Sequence, residues 1–171
     1  AFDEKVFATG RKLATKLFNA AKFVLGHVQT FRAAGKKPGP DKITVELDRA
    51  VVQKLRETIE SATAAFEEFD YAAALQASES FFWSFCDSYL ELVKARAYGS
   101  DGEDDAGRIS GISTLEWSLS VFVRLFAPVL PYMTEEVWSW HFATGEEQSV
   151  HKAPWPKVTE VASVPKPAQE G

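Results

Sequence analysis

The chain has 171 residues, 46% hydrophobic and 13% aromatic, which is enough for one domain, or one domain with a tail, built on a sizeable core. Its apolar runs fall short of the roughly 18 residues that a membrane span needs. Cys86 is the only cysteine, so an internal disulfide is excluded and a reducing compartment is expected. The opening AFDEKVF has neither a basic lead nor a hydrophobic signal region, which gives no reason to expect secretion. A chain that starts without Met and closes in SVPKPAQEG is expected to be a piece of a longer cytosolic protein. The formal net charge of -5 argues against a generally basic nucleic-acid binder. That average hides an asymmetry: residues 1–42 hold nine Lys/Arg against three Asp/Glu, and residues 43–171 hold ten against twenty-one. Cations gathered on one element can attract an anionic partner while the remaining surface repels it; a chance cluster of surface charge is the plainer alternative.

Periodicity predicts helix after helix. Asp3 is the expected N-cap of a long first helix running to about Ala34. Gly10 and Gly26 weaken it by roughly 1 kcal/mol each relative to Ala. AGKKPGPDK breaks it with two prolines and two glycines. A second helix starts near Asp48 and places Val51, Val52, Leu55, Ile59, Ala62 and Phe66 at three- and four-residue spacing. Asp70 is expected to cap a third helix with Tyr71, Leu75, Ser78, Phe82, Phe85, Cys86, Tyr89 and Val93 on one face. Phe81, Trp83 and Leu90 widen that face so far that the third helix reads as the central one. YGSDGEDDAG reads as a flexible acidic loop. A fourth helix from about Arg108 to Phe126 is stopped by APVLP. Thr134 can cap a short fifth helix whose first turn carries Glu135 and Glu136. The expectation is an all-α antiparallel bundle of about five helices over residues 1–156, followed by an irregular, flexible C-terminal tail over 157–171.

Catalytic constellations are missing from the pattern. His27, His141 and His151 are far apart and no cysteine cluster accompanies them, so neither a metal site nor a catalytic group is expected. There is no glycine-rich phosphate loop. Asp87 and Glu91, one turn apart, read as a polar stripe partly neutralised by Lys94 or Arg96. Cys86, flanked by aromatics, reads as a packed thiol.

The first helix is the informative element. Leu17, Ala21, Val24 and Leu25 share an apolar face with Ala14 and Val28, at roughly 100° per residue. Lys12, Lys16, Asn19 and Phe23 recur at four, three and four residues on the opposite face, with Lys22 beside them. On this pattern Phe23 points away from the core. Each residue type suits single-stranded nucleic acid. Lysines meet phosphates, an Asn amide can donate and accept at a base edge, and an exposed ring offers a stacking platform worth roughly 1–3 kcal/mol. On spacing alone a structural role, with another helix or domain covering Phe23, stays equally open.

Longer motifs add a resemblance. GRKLATKLFNAAKFVL, residues 10–25, resembles the opening helix of the anticodon-binding domain of valyl-tRNA synthetases, usually G-R-x-x-x-x-K-L-W-N-A-x-R-F-V. FFWSFCDSYLELVKARAY (81–98) is similar to that family's W-x-F-C-D-x-Y-x-E-L-x-K helix. LFAPVLPYMTEEVWSW (125–140) is similar to L-x-P-F-x-P-F-x-T-E-E-x-W, and SVHKAPWP (149–156) to a closing A-P-W-P. The resemblance implies that the first helix faces the anticodon of valine tRNA. Lys16 and Lys22 would then hold phosphates, Asn19 would read an edge and Phe23 would stack on a splayed base. Phe18 stands where the family commonly has Trp, and Lys22 where Arg is usual, which removes the planar two-pronged donor. Asp87 and Glu91 match an acidic pair for which a packing role is inferred. The resemblance further implies a monomeric parent ligase using ATP and Mg2+, whose catalytic domain and His-Ile-Gly-His and Lys-Met-Ser-Lys-Ser signatures are not in this chain. No cofactor is therefore expected here and the chain alone should not activate valine. A sister isoleucyl or leucyl domain and a helical protein-interaction module remain as alternatives.

Overall fold

The computed structural model describes residues 2–97 and 105–168, and every described element is helical. Helix α1 spans Phe2–Ala33, α2 Glu46–Glu67, α3 Tyr71–Ser84 and α4 Leu90–Ala97. Helix α5 spans Asp105–Phe126 and α6 Pro131–His141. A π-helical turn over Phe85–Tyr89 joins α3 to α4 without a break, so the expected five-helix bundle is what the chain forms. Phe66 meets Tyr71 at one end and Asp48 meets Tyr89 and Arg96 at the other, so α2 runs antiparallel to the α3–α4 rod. Phe82 meets Phe126, and Val93 approaches Gly111, so α5 also runs antiparallel to it. Helix α1, by contrast, runs parallel to the rod, because Lys16 lies beside Asp87 and Phe23 beside Lys94. No helix among the described residues is long and apolar enough to cross a membrane.

Several local expectations are met and others are corrected. Asp70 caps α3 by accepting from the Ala73 N–H at 3.1 Å. Asp3 is not an N-cap, since α1 already includes Phe2. Thr134 is not one either: α6 starts at Pro131, and the Thr134 hydroxyl, fully buried, donates back to the Leu130 carbonyl at 2.7 Å. Proline at the first helical position needs no N–H, so the chain can begin the helix a turn earlier than the Thr signal suggests. Tyr71, expected on the core face, is 54% exposed at the open end of the bundle. The fourth helix begins at Asp105, within the stretch read as an acidic loop, and Asp105 holds Lys36 at 2.9 Å. Residues 98–104 of that loop lie outside the described residues.

The central helix is α5 rather than α3. It buries Leu115, Leu119, Val121, Phe122 and Phe126, and with them Ser110, Ser113, Thr114 and Ser118. A helical hydroxyl can satisfy itself on the carbonyl four residues back, as Thr114 does on Ser110 at 2.8 Å. Such residues pack as small apolar groups although their composition reads as polar. Phe82 and Phe122 meet at 5.0 Å, Phe82 and Phe126 at 5.2 Å, and Phe85 and Phe122 at 5.2 Å between centroids. The inclined ring pairs add to what burial alone supplies.

Asp48 joins three helices. Completely buried, it accepts from the Tyr89 hydroxyl at 2.7 Å, from the Ser110 hydroxyl at 2.7 Å and from both terminal nitrogens of Arg96 at 2.8 and 2.9 Å. Ser110 Oγ in turn accepts from the N–H groups of Thr44 and Val45, which fixes the entry into α2. The hydroxyl of Tyr89, buried beside this carboxylate, has its pKa driven far up, first by burial and then by the charge of Asp48.

Within the stretch 157–171, expected as a flexible tail, the described residues as far as Ala168 make contacts with the bundle. Val161 and Val164 are buried, and Arg124, itself 7% exposed, grips Glu160 with two nitrogens at 2.6 and 2.9 Å. Arg56 donates to the Val161 and Val164 carbonyls at 2.8 and 2.7 Å. Trp155 stacks on Phe66 and donates to Thr63 at 2.9 Å. Composition flagged the prolines, but a buried arginine and two valines supply the anchor. Residues 169–171 lie outside the described residues.

Candidate nucleic-acid interface

Helix α1 buries Leu13, Leu17, Ala20, Ala21, Val24, Leu25, Val28 and Phe31 against the core. Its other side therefore faces outward, and the rod fixes what stands next to it. Lys12, Asn19 and Lys22 are exposed, while Lys16 and Phe23 are half-buried. The five residues do not form one uniform patch. Lys12, Lys16 and Asn19 line an open hollow of about 510 Å³ together with Arg11, Thr15 and Trp83. Lys22 instead leans over the Phe18 ring, its ammonium 4.3 Å from the centroid. Phe18, in the position where the resembled motif carries Trp, packs edge-on against Trp140 at 5.2 Å.

Phe23 corrects the wheel argument in part. The ring does lie off the apolar stripe of α1, yet it is half-buried and packs against the core edge. His27 meets it edge-on at 4.6 Å, and the Lys94 ammonium lies 5.2 Å from its centroid. A wheel drawn for one helix cannot register a second helix lying alongside, and α4 supplies the cover. Burial, and after it the Arg108 charge, lowers the His27 pKa, so this neighbour is held toward its neutral form.

Acidic partners divide the cations into two groups. Asp87 approaches Lys16 at 3.5 Å, and Glu91 approaches Lys94 at 3.6 Å. Arg96, expected as a neutraliser of that stripe, is committed to Asp48 instead. Arg11, Lys12 and Lys22 have no ion pair among the described residues. They remain available to an anion from outside. Cys86 is buried behind this face, and burial pushes its thiol up to about 12, the Lys16 charge lowering it slightly and Asp87 raising it. A thiol so disfavoured as thiolate is packing material.

Three further residues belong to this surface, and two of them, Lys94 and Trp83, lie off α1. Arg11 neighbours Lys12 in sequence and could have been included. Lys94 reaches the surface only because α4 lies parallel to α1. Trp83 belongs by spacing to the wide apolar face of α3, and yet it is half-buried at the edge of the hollow. Its indole N–H is held by Glu79 at 3.2 Å. Trp83, Asp87 and Lys94 stand four and then seven residues apart along the rod, spacings that helical periodicity already puts on one side, and that side fronts α1. Among the described residues, no three His, Cys, Asp or Glu groups converge as a metal site would require.

Comparison with known proteins bears on this geometry. Residues 48–170 match the family described as the anticodon-binding domain of tRNA ligase. The chain is 48% identical to the valine–tRNA ligase of Cutibacterium acnes over 94% of its own length and 17% of that protein. It is 48% identical to the valine–tRNA ligase of Leifsonia xyli over 90% of the chain and 16% of that protein. With the enzyme of the same name from Thermobifida fusca the identity is 47%, over 94% and 17%. The chain thus spans about a sixth of the length of the curated relatives it matches. With most of its length matched, including the tail that Arg124 and Arg56 bind, this chain belongs to the family of tRNA ligase anticodon-binding domains.

Proposed function

We propose that the chain is the anticodon-binding domain of a valine–tRNA ligase and grips the anticodon stem-loop of valine tRNA. The observation that carries this reading is the outward side of α1, where Arg11, Lys12, Lys16, Asn19, Lys22 and Phe23 stand together on an otherwise acidic chain. The names borne by its relatives support valine as the amino acid. Lys12, Lys16 and Lys22 meet backbone phosphates as point charges. Asn19 reads a base edge, and Phe23 stacks on an unpaired base. A ring already fixed on the bundle loses little freedom on binding, so more of the stacking energy appears as affinity.

The role in the parent enzyme is positional. Holding the distal stem presents the acceptor end of the tRNA to a catalytic domain elsewhere in the same polypeptide, where valine is joined to it with ATP. Asp48 and Glu160 are engaged within the fold, the first by Tyr89, Ser110 and Arg96 and the second by Arg124. Nucleotide chemistry belongs on this reading to the remainder of the parent, acting in the cytosol as a monomer.

The test is a titration of the chain with valine tRNA, an anticodon-substituted valine tRNA and an isoleucine tRNA at several salt concentrations. The expected order is valine tRNA first, with affinity falling as salt rises. Preference for the isoleucine transcript would transfer the domain to a sister ligase. Equal, salt-insensitive failure to bind all three would leave a protein-interaction module.

A further inference from the structure

We propose that Trp83 is a second base-stacking platform, and that the hollow between α1 and α3 takes one nucleotide of the same RNA loop. The inference rests on the anticodon-loop reading above and extends it to a separate subsite. Among the described residues its lining is Trp83 and Asn19 with three cations, Arg11, Lys12 and Lys16, and Thr15, with Glu79 held on the Trp83 N–H and Asp87 beside Lys16 just outside it. That combination matches a nucleotide part for part. The indole face takes the base, the Asn19 amide can donate and accept at a base edge, and the cations take the flanking phosphates. The Thr15 hydroxyl is turned away, donating to the Arg11 carbonyl at 2.9 Å.

The platform is held in place before any ligand arrives. Trp83 packs edge-on against buried Phe82, with centroids 6.0 Å apart, and its N–H is tied to Glu79. A hydrophobic role would have placed this ring on Phe122 and Phe126, where Phe82 is, rather than at an open, cation-rimmed edge. An acidic peptide would meet the cations as well, but it gives the indole face and the Asn19 amide nothing to do.

The hollow is a different place from the Phe23 platform. Thr15, at its middle, precedes Phe23 by eight residues, or roughly 12 Å along the helix axis. Stacked bases rise only ~3.4 Å per step, so one base cannot touch both rings. Two platforms hold two nucleotides, and their contributions should add, as for sites more than roughly 7–10 Å apart.

The experiment measures binding of a synthetic anticodon stem-loop of valine tRNA to the 171-residue chain, with abasic substitution at each loop position in turn. Trp83→Leu should weaken binding roughly 5- to 150-fold, the range of one base–aromatic stack, and Trp83→Phe by less. One abasic position should cost wild type a similar factor and cost Trp83→Leu nothing more. A different position should show the same silence with Phe23→Ala. Helical circular dichroism and melting temperature check that each variant is folded, and Arg11→Ala, altering an exposed side chain, should reduce the salt slope by about 1 whatever Trp83→Leu does to the fold. Binding that survives Trp83→Leu but not Phe23→Ala overturns the second platform alone. So does a Trp83→Leu loss that adds to every abasic loss, because the ring then acts through packing. Failure of the wild-type chain to bind the stem-loop overturns both readings.

Discussion

Replacing Phe23 by alanine separates the packing of its ring, which the structure shows, from the base stacking proposed for it. Fully buried phenylalanines cost roughly 3–5 kcal/mol of stability when cut to alanine. Phe23 is half-buried, so about half that, on the order of 2 kcal/mol, is expected, and the contacts with His27 and Lys94 are part of the sum. If the ring also stacks on a base, binding of the stem-loop falls by a further 1–3 kcal/mol or so at temperatures where the variant is still folded. Urea denaturation followed by circular dichroism reads the first quantity and fluorescence anisotropy of labelled RNA the second. Phe23→Leu divides them: it keeps most of the apolar bulk, with a cost below about 1.5 kcal/mol, but has no π face. Stability close to wild type with RNA affinity as poor as that of Phe23→Ala is the expected result. Should leucine restore affinity along with stability, stacking is wrong and Phe23 is an edge of the core.

Other consequences are independent of that ring. Asp48→Ala leaves the Arg96 guanidinium without its carboxylate and frees the Tyr89 and Ser110 hydroxyls, so a loss of about 3–5 kcal/mol is expected in urea denaturation; a loss under 1 kcal/mol would show that the network is incidental. Burial tends to raise the Glu160 pKa, but hydrogen bonds and charge from Arg124, with the Lys157 N–H and the Trp117 indole, outweigh it and hold the carboxyl below its usual 4.5. A carboxylate depressed in the folded state contributes stability above the unfolded pKa, and that contribution is lost as pH falls through the folded one. Stability should therefore drop as acid is added below about pH 4.5, and Glu160→Gln should flatten that drop; an unchanged acid limb would remove the pair from the account. Lys16→Ala should lower the slope of log affinity against log salt by about 1 if the ammonium meets a phosphate. Its bond to Asp87 is long, at 3.5 Å, and largely exposed, so loss of the pair itself should leave the melting temperature nearly unchanged.

What could be read in the sequence follows from how local its cause is. The helices were legible because apolar spacing, the Asp70 cap and the proline breaks all act within a turn or two. Cys86 as a packed thiol was legible because aromatics flank it directly. The central position of α5 was not, since its buried serines and threonines read as polar, while Thr114 turns its hydroxyl onto its own backbone and Ser110 and Ser113 meet partners more than sixty positions away. Nor was the folded tail, whose anchor joins Arg124 to Glu160 across 36 positions. Within the candidate site, the α1 residues could be selected by spacing alone. Trp83 and Lys94 could not: they belong to a neighbouring rod, and which of its sides meets α1 is set by tertiary packing that the spacing within α1 does not contain.

The distribution of charge explains why one side of so acidic a chain can serve RNA. Residues 43–171 carry twenty-one Asp/Glu, enough to repel a polyanion from most directions. Inside the bundle Asp48 and Glu160 absorb Arg96 and Arg124, so two of the cations outside the first segment are spent on the fold. On α1 the division is different. The buried stripe takes only aliphatic and aromatic side chains, which leaves every lysine of the helix from residue 10 onward on the outer half. Asp87 engages Lys16 only weakly, and Arg11, Lys12 and Lys22 keep their charge for an external partner. A strand drawn along that row meets an aromatic ring near each end, Trp83 and Phe23. Attraction on α1 then coincides with rings on which unpaired bases can stack. A duplex without unpaired bases would gain only the phosphate contacts there, so the loop rather than the stem supplies the difference in affinity.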